Sequence, residues 1–181
     1  MAKQNVSLKA RLILYYKGQI LLLKQTKPNG GNYTLVGGNV ESDESAKQSL
    51  IRESFEEAGI TIREEDLHLV HVRHKLDEDK HRIVLYFKAY KWEGKLKARE
   101  THKFKEAEWF FLEELPKNLT NTVRHVLDEY RKGHLYSEFT DLKGRPSVAV
   151  TAPKKTEPGL STKTERPVPD KKPKTKDGKG K

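Results

Sequence analysis

Five charged side chains at fixed intervals, Glu44, Arg52, Glu53, Glu56 and Glu57, are the part of this 181-residue chain best equipped for chemistry. They fall in one stretch, residues 37–60, GGNVESDESAKQSLIRESFEEAGI. Carboxylate oxygens are the natural donors for hard divalent cations such as magnesium, and a glycine loop adds backbone carbonyls that no side chain shields. Carboxylates at i,i+3 and i,i+4 repel one another, and the last turns of a helix favour cations over anions. A bound cation relieves both costs. The competing use of the same residues is a solvated acidic face, since glutamate is a good helix former.

The element that must position these groups is a helix. Ser42 and Asp43 are N-cap types ahead of a run without Gly or Pro, and Gly59 suits the left-handed residue that closes a helix, which predicts a helix over 43–58. At 100° per residue, Leu50, Ile51, Ser54, Phe55 and Ala58 form its core-facing stripe, and Glu53, Glu56 and Glu57 fall in an arc of ~100° beside it.

The full spacing is Gly38, five residues, Glu44, seven residues, then Arg52-Glu53-Ser54-Phe55-Glu56-Glu57-Ala58-Gly59-Ile60. It resembles the signature of the Nudix hydrolases, G-x5-E-x7-R-E-U-x-E-E-x-G-U with U a bulky aliphatic residue, at every glycine and charged position. Two positions depart from it. Ser54 stands where the family carries an aliphatic residue, so its hydroxyl is expected to bond back to the Leu50 carbonyl. Val36 stands where many relatives have proline.

The resemblance implies an α/β protein, a Nudix-type α/β/α sandwich with a mixed β-sheet. It implies a magnesium-dependent pyrophosphohydrolase, with manganese as a substitute ion, acting on a nucleoside diphosphate linked to another moiety. Glu56 and Glu57 would be metal ligands and Glu53 a ligand or the base for water. The Gly37 or Gly38 carbonyl would be a further ligand, with Arg52 orienting a glutamate by a forked hydrogen bond. Glu44, one turn into the expected helix, and Gly59 complete the signature in structural roles. Nudix enzymes often draw another carboxylate from outside the signature, for which Glu100 and Glu106 are the candidates.

Outside that stretch, 6–16 and 19–25 read as strands joined by a Lys17-Gly18 hairpin. Residues 28–31 read as a loop, and 33–36 as a short strand leading to the glycine pair. Strands are expected at 60–62, 67–74, 82–92 and 108–112, with a turn at Glu93-Gly94, and a helix at 120–132 closed by Gly133. Residues 134–150 form an extension without assigned structure, in which SVAV suits a short strand or an arm. From Thr151 the composition of Lys, Pro, Thr, Gly and Asp predicts a disordered basic tail. The domain organisation is therefore 1–133, the extension 134–150 and the tail 151–181.

The net charge of +10 divides unevenly. Residues 153–181 hold ten Lys and Arg against four Asp and Glu, leaving 26 against 22 before them. The tail suits phosphate neutralisation, so nucleic acid is a candidate partner, although no aromatic residue follows Phe139 to read bases. With no cysteine, disulfides and thiolate chemistry are excluded. Neither a signal peptide nor an apolar span is visible, which predicts a soluble, cytoplasmic protein without membrane contact.

His68, His71 and His74 invite a metal reading. On a regular strand, however, His68 and His74 share a face and His71 takes the other. Tyr33, Tyr86 and Phe87 are candidate base-stacking residues, with core packing as the competing use. Three functions are thus open. They are the hydrolase, a non-catalytic nucleotide-sensing module, and an RNA 5′-end hydrolase recruited by the tail. The sequence singles out neither the nucleotide substrate nor an oligomeric state.

Overall fold

The computed structural model describes residues 5–77 and 80–141. The basic tail and the SVAV run at 147–150 lie outside the described residues. Strands β1 (Asn5–Tyr16) and β2 (Gln19–Gln25) carry near-continuous apolar runs because both of their faces are covered. Ala10, Leu12, Leu14, Leu21 and Leu23 enter one core cluster, while Ile13, Ile20 and Leu22 enter the other. Lys17 and Gly18 turn the chain with φ of 48° and 84°, the left-handed pair of a two-residue hairpin.

The hairpin ladder is short, Tyr15 opposite Ile20 and Tyr16 opposite Gln19. The earlier part of β1 pairs instead with the glycine stretch. Ala10 N donates to Gly38 O at 3.1 Å, Leu12 N to Val36 O at 3.0 Å, and Val40 N to Leu8 O at 3.0 Å. The glycine pair is therefore held in the sheet beside β1.

The remaining elements are β3 (Tyr33–Thr34), α1 (Ala46–Ala58), β4 (Ile60–Thr61), β5 (His68–Asp77), β6 (Lys80–Ala89), β7 (Glu93–Gly94), β8 (Phe104–Phe111), α2 (Asn121–Arg131) and β9 (Tyr136–Asp141). The main sheet runs β3-β2-β1-β6-β5-β9, with β8 also on β2. β1 and β6 pair parallel, as do β5 and β9, and the other pairs are antiparallel, so the sheet is mixed. α1 supplies Leu50 and Ala58 to one core cluster, and α2 supplies Val123, Val126 and Leu127 to the other. This is the expected α/β/α sandwich.

Several boundaries differ from the sequence reading. α1 starts at Ala46 rather than 43, because Ser45 and not Ser42 or Asp43 is its cap. Ser45 Oγ accepts from Gln48 N at 3.2 Å and Gln48 Oε1 accepts from Ser45 N at 2.8 Å, a reciprocal capping box. Glu44 consequently precedes the helix instead of lying one turn inside it. Glu93-Gly94 is not a bare turn but β7, paired with β4. β8 begins at Phe104, four residues before the expected strand at 108.

The largest difference is β9, which joins the sheet from the stretch left unassigned. Its residues, YSEFTD, hold no apolar run, and the strand is fastened through a buried histidine instead. His71 Nδ1 lies 2.8 Å from His134 O and Nε2 lies 2.8 Å from Ser137 Oγ. A carbonyl only accepts, so Nδ1 carries the proton and Nε2 accepts from the hydroxyl.

A bulge between Leu69 and His71 sets this orientation. His68 pairs with Lys88 and His71 with Tyr86, which places those two histidines on one face and His74 on the other, where a regular strand would have grouped His68 with His74. Among the described residues no three histidine or acidic side chains are gathered as a metal cluster, and no helix is long and apolar enough to cross a membrane.

Candidate active site

The face of α1 that is buried differs from the sequence reading by a fraction of a turn. Ser49, Leu50, Ser54, Glu57 and Ala58 are buried, whereas Phe55, expected in the core, is 51% exposed beneath the Arg99 guanidinium, 4.4 Å from its ring centre. The rotation places a carboxylate, Glu57, at 4% exposure. What makes that position tolerable is a donor from the glycine pair, Gly37 N to Glu57 Oε2 at 2.8 Å. Ser54 behaves as expected, its hydroxyl donating to Leu50 O at 2.7 Å.

The glycines are required here by contact as well as by conformation. Gly37 has φ 122°, and a Cβ on it would stand 2.3 Å from Ala10 O. A Cβ on Gly38 would stand 2.2 Å from Glu53 Oε1, so the Glu53 carboxylate lies directly against the bare backbone. Of the two carbonyls expected as donors, Gly38 O is engaged in the β1 ladder. Gly37 O accepts from Arg11 Nη1, which also donates to Leu35 O at 3.0 Å.

Arg52 organises the outer carboxylates. Its Nε and Nη2 fork onto Glu44 at 3.1 and 2.7 Å, and its Nη1 donates to Glu53 at 3.2 Å and Glu56 at 3.1 Å. The Arg52 bonds overcome burial and hold Glu44 down to about 2, so it stays ionised at any physiological pH. Glu57 moves the opposite way. Burial pushes it up to about 7, against the Gly37 amide and the charge of Arg11, with Glu53 and Glu100 adding repulsion.

Glu100 and Glu106, grouped by the sequence, have different neighbours in the fold. Glu100 lies within electrostatic range of Glu57 and is paired with Lys103 at 2.9 Å. Glu106 is opposite Lys24 on β2. Tyr33 donates to Glu108 at 2.6 Å beneath the Lys24 ammonium, and Tyr86 and Phe87 are core residues. The sequence reading missed Arg11. Its signal was a pair of cations, Lys9 and Arg11, on one side of an apolar strand, LKARLILYY, a cost that a solvent-facing loop would not carry.

Glu53 and Glu57 thus stand against a glycine pair that is clamped to β1, and Glu56, half-exposed, is tied to Glu53 through Arg52. Residues 8–130, well over half of the chain, match the NUDIX domain. The chain belongs to the Nudix family. It is 35% identical over 120 residues to an ADP-ribose pyrophosphatase of Methanocaldococcus jannaschii, covering 66% of this chain and 70% of that one. It is 28% identical over 122 residues to an NAD-capped RNA hydrolase, NudC, of Pseudomonas aeruginosa, covering 66% of this chain but 42% of NudC. The chain therefore spans less than half the length of that relative. Among solved structures, a MutT Nudix hydrolase from Burkholderia pseudomallei superposes with a TM-score of 0.62 at 27% identity, over 68% of this chain and 97% of that one.

Proposed function

We propose that this Nudix chain is a hydrolase of phosphoric anhydride bonds, cleaving a nucleoside diphosphate linked to another moiety with the help of magnesium, or of manganese in its place. The observation that carries the reading is the seating of Glu53 and Glu57 on the Gly37-Gly38 backbone. A carboxylate forced into that position, and pushed up by burial and by its neighbours, is short of positive charge. Carboxylate donors suit a hard cation: Glu53, Glu56 and Glu57 would hold it once Glu56 turns from Arg52 toward the other two, with the Gly37 or Gly38 carbonyl as a further donor if released from its present hydrogen bond and Glu100 as a further carboxylate. Glu106, opposite Lys24 on β2, is the second candidate for that further carboxylate. A bound magnesium would offset charge on the phosphate oxygens and lower the pKa of the attacking water.

The protein's own groups do the rest. A carboxylate of the cluster, Glu53 where it is not itself holding the cation, accepts the proton as the water oxygen bonds to phosphorus. The phosphorus–bridging oxygen bond breaks, and two phosphate-terminated products leave. Arg52 fixes Glu44, Glu53 and Glu56 relative to one another, so that a charged cluster needs no rearrangement during the reaction. Arg11 reaches the same place from β1, where its Nη1 holds the Leu35 and Gly37 carbonyls and its remaining N–H groups are the ones a phosphate oxygen could use.

Two alternatives keep distinct signatures. A nucleotide-sensing module has no need of the complete set Glu53, Glu56 and Glu57. An RNA 5′-end hydrolase draws support from the NudC relative. Purified protein assayed against ADP-ribose, nucleoside triphosphates (oxidised ones included), dinucleoside polyphosphates and 5′-capped RNA tests the reading. Phosphate-containing products that appear only with added metal are expected. Binding without turnover across the whole panel would leave the sensing module.

A further inference from the structure

The two arginines of the site do not reach all of its carboxylates. Arg52 is shared among Glu44, Glu53 and Glu56, and Arg11 Nη1 is taken up by the Leu35 and Gly37 carbonyls. Glu100, which acts on Glu57, is held by a third cation. Lys103 Nζ lies 2.9 Å from Glu100 Oε1 and 3.1 Å from Oε2, so one ammonium grips both oxygens.

The pair stands on a turn that is fixed from two sides. Lys103 N and Phe104 N both donate to Glu100 O at 2.8 Å, which closes residues 100–104. Toward α1, Arg99 N donates to Glu57 O at 2.9 Å and Lys97 N to Ala58 O at 3.0 Å, using carbonyls that a helix C-terminus leaves without an intrahelical partner. Toward β2, Thr26 donates its N–H to Lys103 O at 2.9 Å and its hydroxyl to His102 O at 3.1 Å. Ala98 and Phe104 anchor the segment in the core cluster that α1 enters.

Backbone bonds therefore set where Lys103 stands, and charge sets what its ammonium faces. Its charged form is favoured first by the Glu100 bond, against the cost of burial, and then by the fields of Glu100, Glu57 and Glu53. Among the described residues Arg52 makes no ion pair with Glu57 or Glu100. Lys103 serves that side of the cluster. A lysine is a compact charge on a flexible stem, and at 46% exposure this one can swing into water, whereas Arg52 is forked onto Glu44. A dication exerts a larger field on a carboxylate than one ammonium at the same distance.

We propose that Lys103 is the exchangeable counter-ion of the glutamate site: its ammonium holds Glu100 beside Glu57 until a divalent cation displaces it, and Glu100 then turns to the metal. The inference rests on the reading of Glu53, Glu56 and Glu57 as metal ligands. It makes Lys103 a positioning residue that supports the fold while it lowers metal affinity.

Calorimetric titration of the full chain with manganese, and melting in metal-depleted buffer, read the two effects separately. Lys103→Gln should bind manganese about fivefold more tightly, the worth of one half-exposed ion pair that no longer has to break, yet melt about 3 °C lower without metal. A purely structural residue would not raise affinity as it lowers stability. Lys103→Arg, which keeps the charge and forks onto Glu100, should melt like the parent and bind manganese no more tightly. In a Glu100→Gln background, which itself binds manganese more weakly, Lys103→Gln should gain less than about twofold. Lys117→Gln, the same change of net charge at an exposed position ahead of α2, should alter neither quantity.

Unchanged or weaker manganese binding by Lys103→Gln overturns the inference. So does an equal gain from Lys117→Gln, which would make the effect one of net charge, or an undiminished gain in the Glu100→Gln background. A chain whose manganese affinity shifts as expected but which hydrolyses no nucleotide would overturn the hydrolase reading and leave Lys103 in its role. Metal-dependent hydrolysis with an unmoved affinity in Lys103→Gln would do the reverse, and no manganese binding at all would overturn both.

Discussion

At the level of single residues, the two glycines make separable predictions. Gly37→Ala combines a positive φ with a Cβ driven into the Ala10 carbonyl, a backbone contact that cannot give, so it should destabilise the fold by about 3 kcal/mol or more. Gly38→Ala meets only the Glu53 carboxylate, which can swing away. It should melt close to the parent and lose most of its turnover. Thermal melts beside initial rates check both, and a Gly38→Ala protein with full turnover would remove Glu53 from the mechanism. Glu56→Gln keeps shape and removes charge, so turnover should fall about 100-fold or more at low magnesium. Because Glu56 is half-exposed and shares Arg52 with Glu44 and Glu53, its metal-free stability should shift by only about 0.5 kcal/mol. The magnesium-induced rise in melting temperature should shrink in parallel.

Among the elements, α1 carries two changes of opposite sign. Ser45→Ala breaks the capping box and should cost about 1 kcal/mol. Ser54→Ala removes a hydroxyl that only doubles up on a carbonyl already inside the helix, and gains about 0.5 kcal/mol of helix propensity. Denaturant midpoints should therefore move in opposite directions while turnover holds. β9 supplies a pH test. Burial depresses His71 below its ordinary value, partly offset by its bond to His134 O. Between the folded value and about 6.5 the unfolded chain binds a proton that the folded chain refuses, so this contribution is complete above about 6.5 and fades as pH falls. Glu129 reinforces the trend at lower pH. Burial raises it, but bonds from Lys132 and His134 outweigh burial and hold it down, so its contribution is lost only as pH drops below the ordinary carboxylate range. Chemical denaturation at pH 7.5 and 5.5 should show a loss of stability that is smaller in His71→Gln.

For the whole molecule, two truncations test where the fold ends. Removal of everything after Ala152 leaves every strand and helix of the described residues and all candidate site residues in place, so turnover of a small nucleotide should be unchanged. Removal after Gly133 strips β9 from β5 and orphans both nitrogens of buried His71, which should cost at least about 3 kcal/mol. Equal melting temperatures for the two truncated proteins would show that β9 is dispensable. A small-nucleotide rate that collapsed in the longer of the two would place part of the site in the tail.

Local chemistry was legible in the residues themselves. The spacing from Gly38 to Ile60, the apolar runs of β1 and β2, the Lys17-Gly18 turn and the bond from Ser54 to Leu50 are all short-range, and each followed from neighbours in the chain. What needed the tertiary structure were the choices that distant partners make. Gly37 N, twenty residues from Glu57, decides that this carboxylate and not Phe55 enters the buried side of α1. His71 and Ser137, sixty-six residues apart, turn a polar hexapeptide into a strand. The pairing of β1 with β6 and of β6 with β5 brings Lys9, Arg82 and Arg73 onto one face. In the sequence they are three unrelated cations, because charge interactions act over a few ångströms of space while the chain between them is tens of residues long.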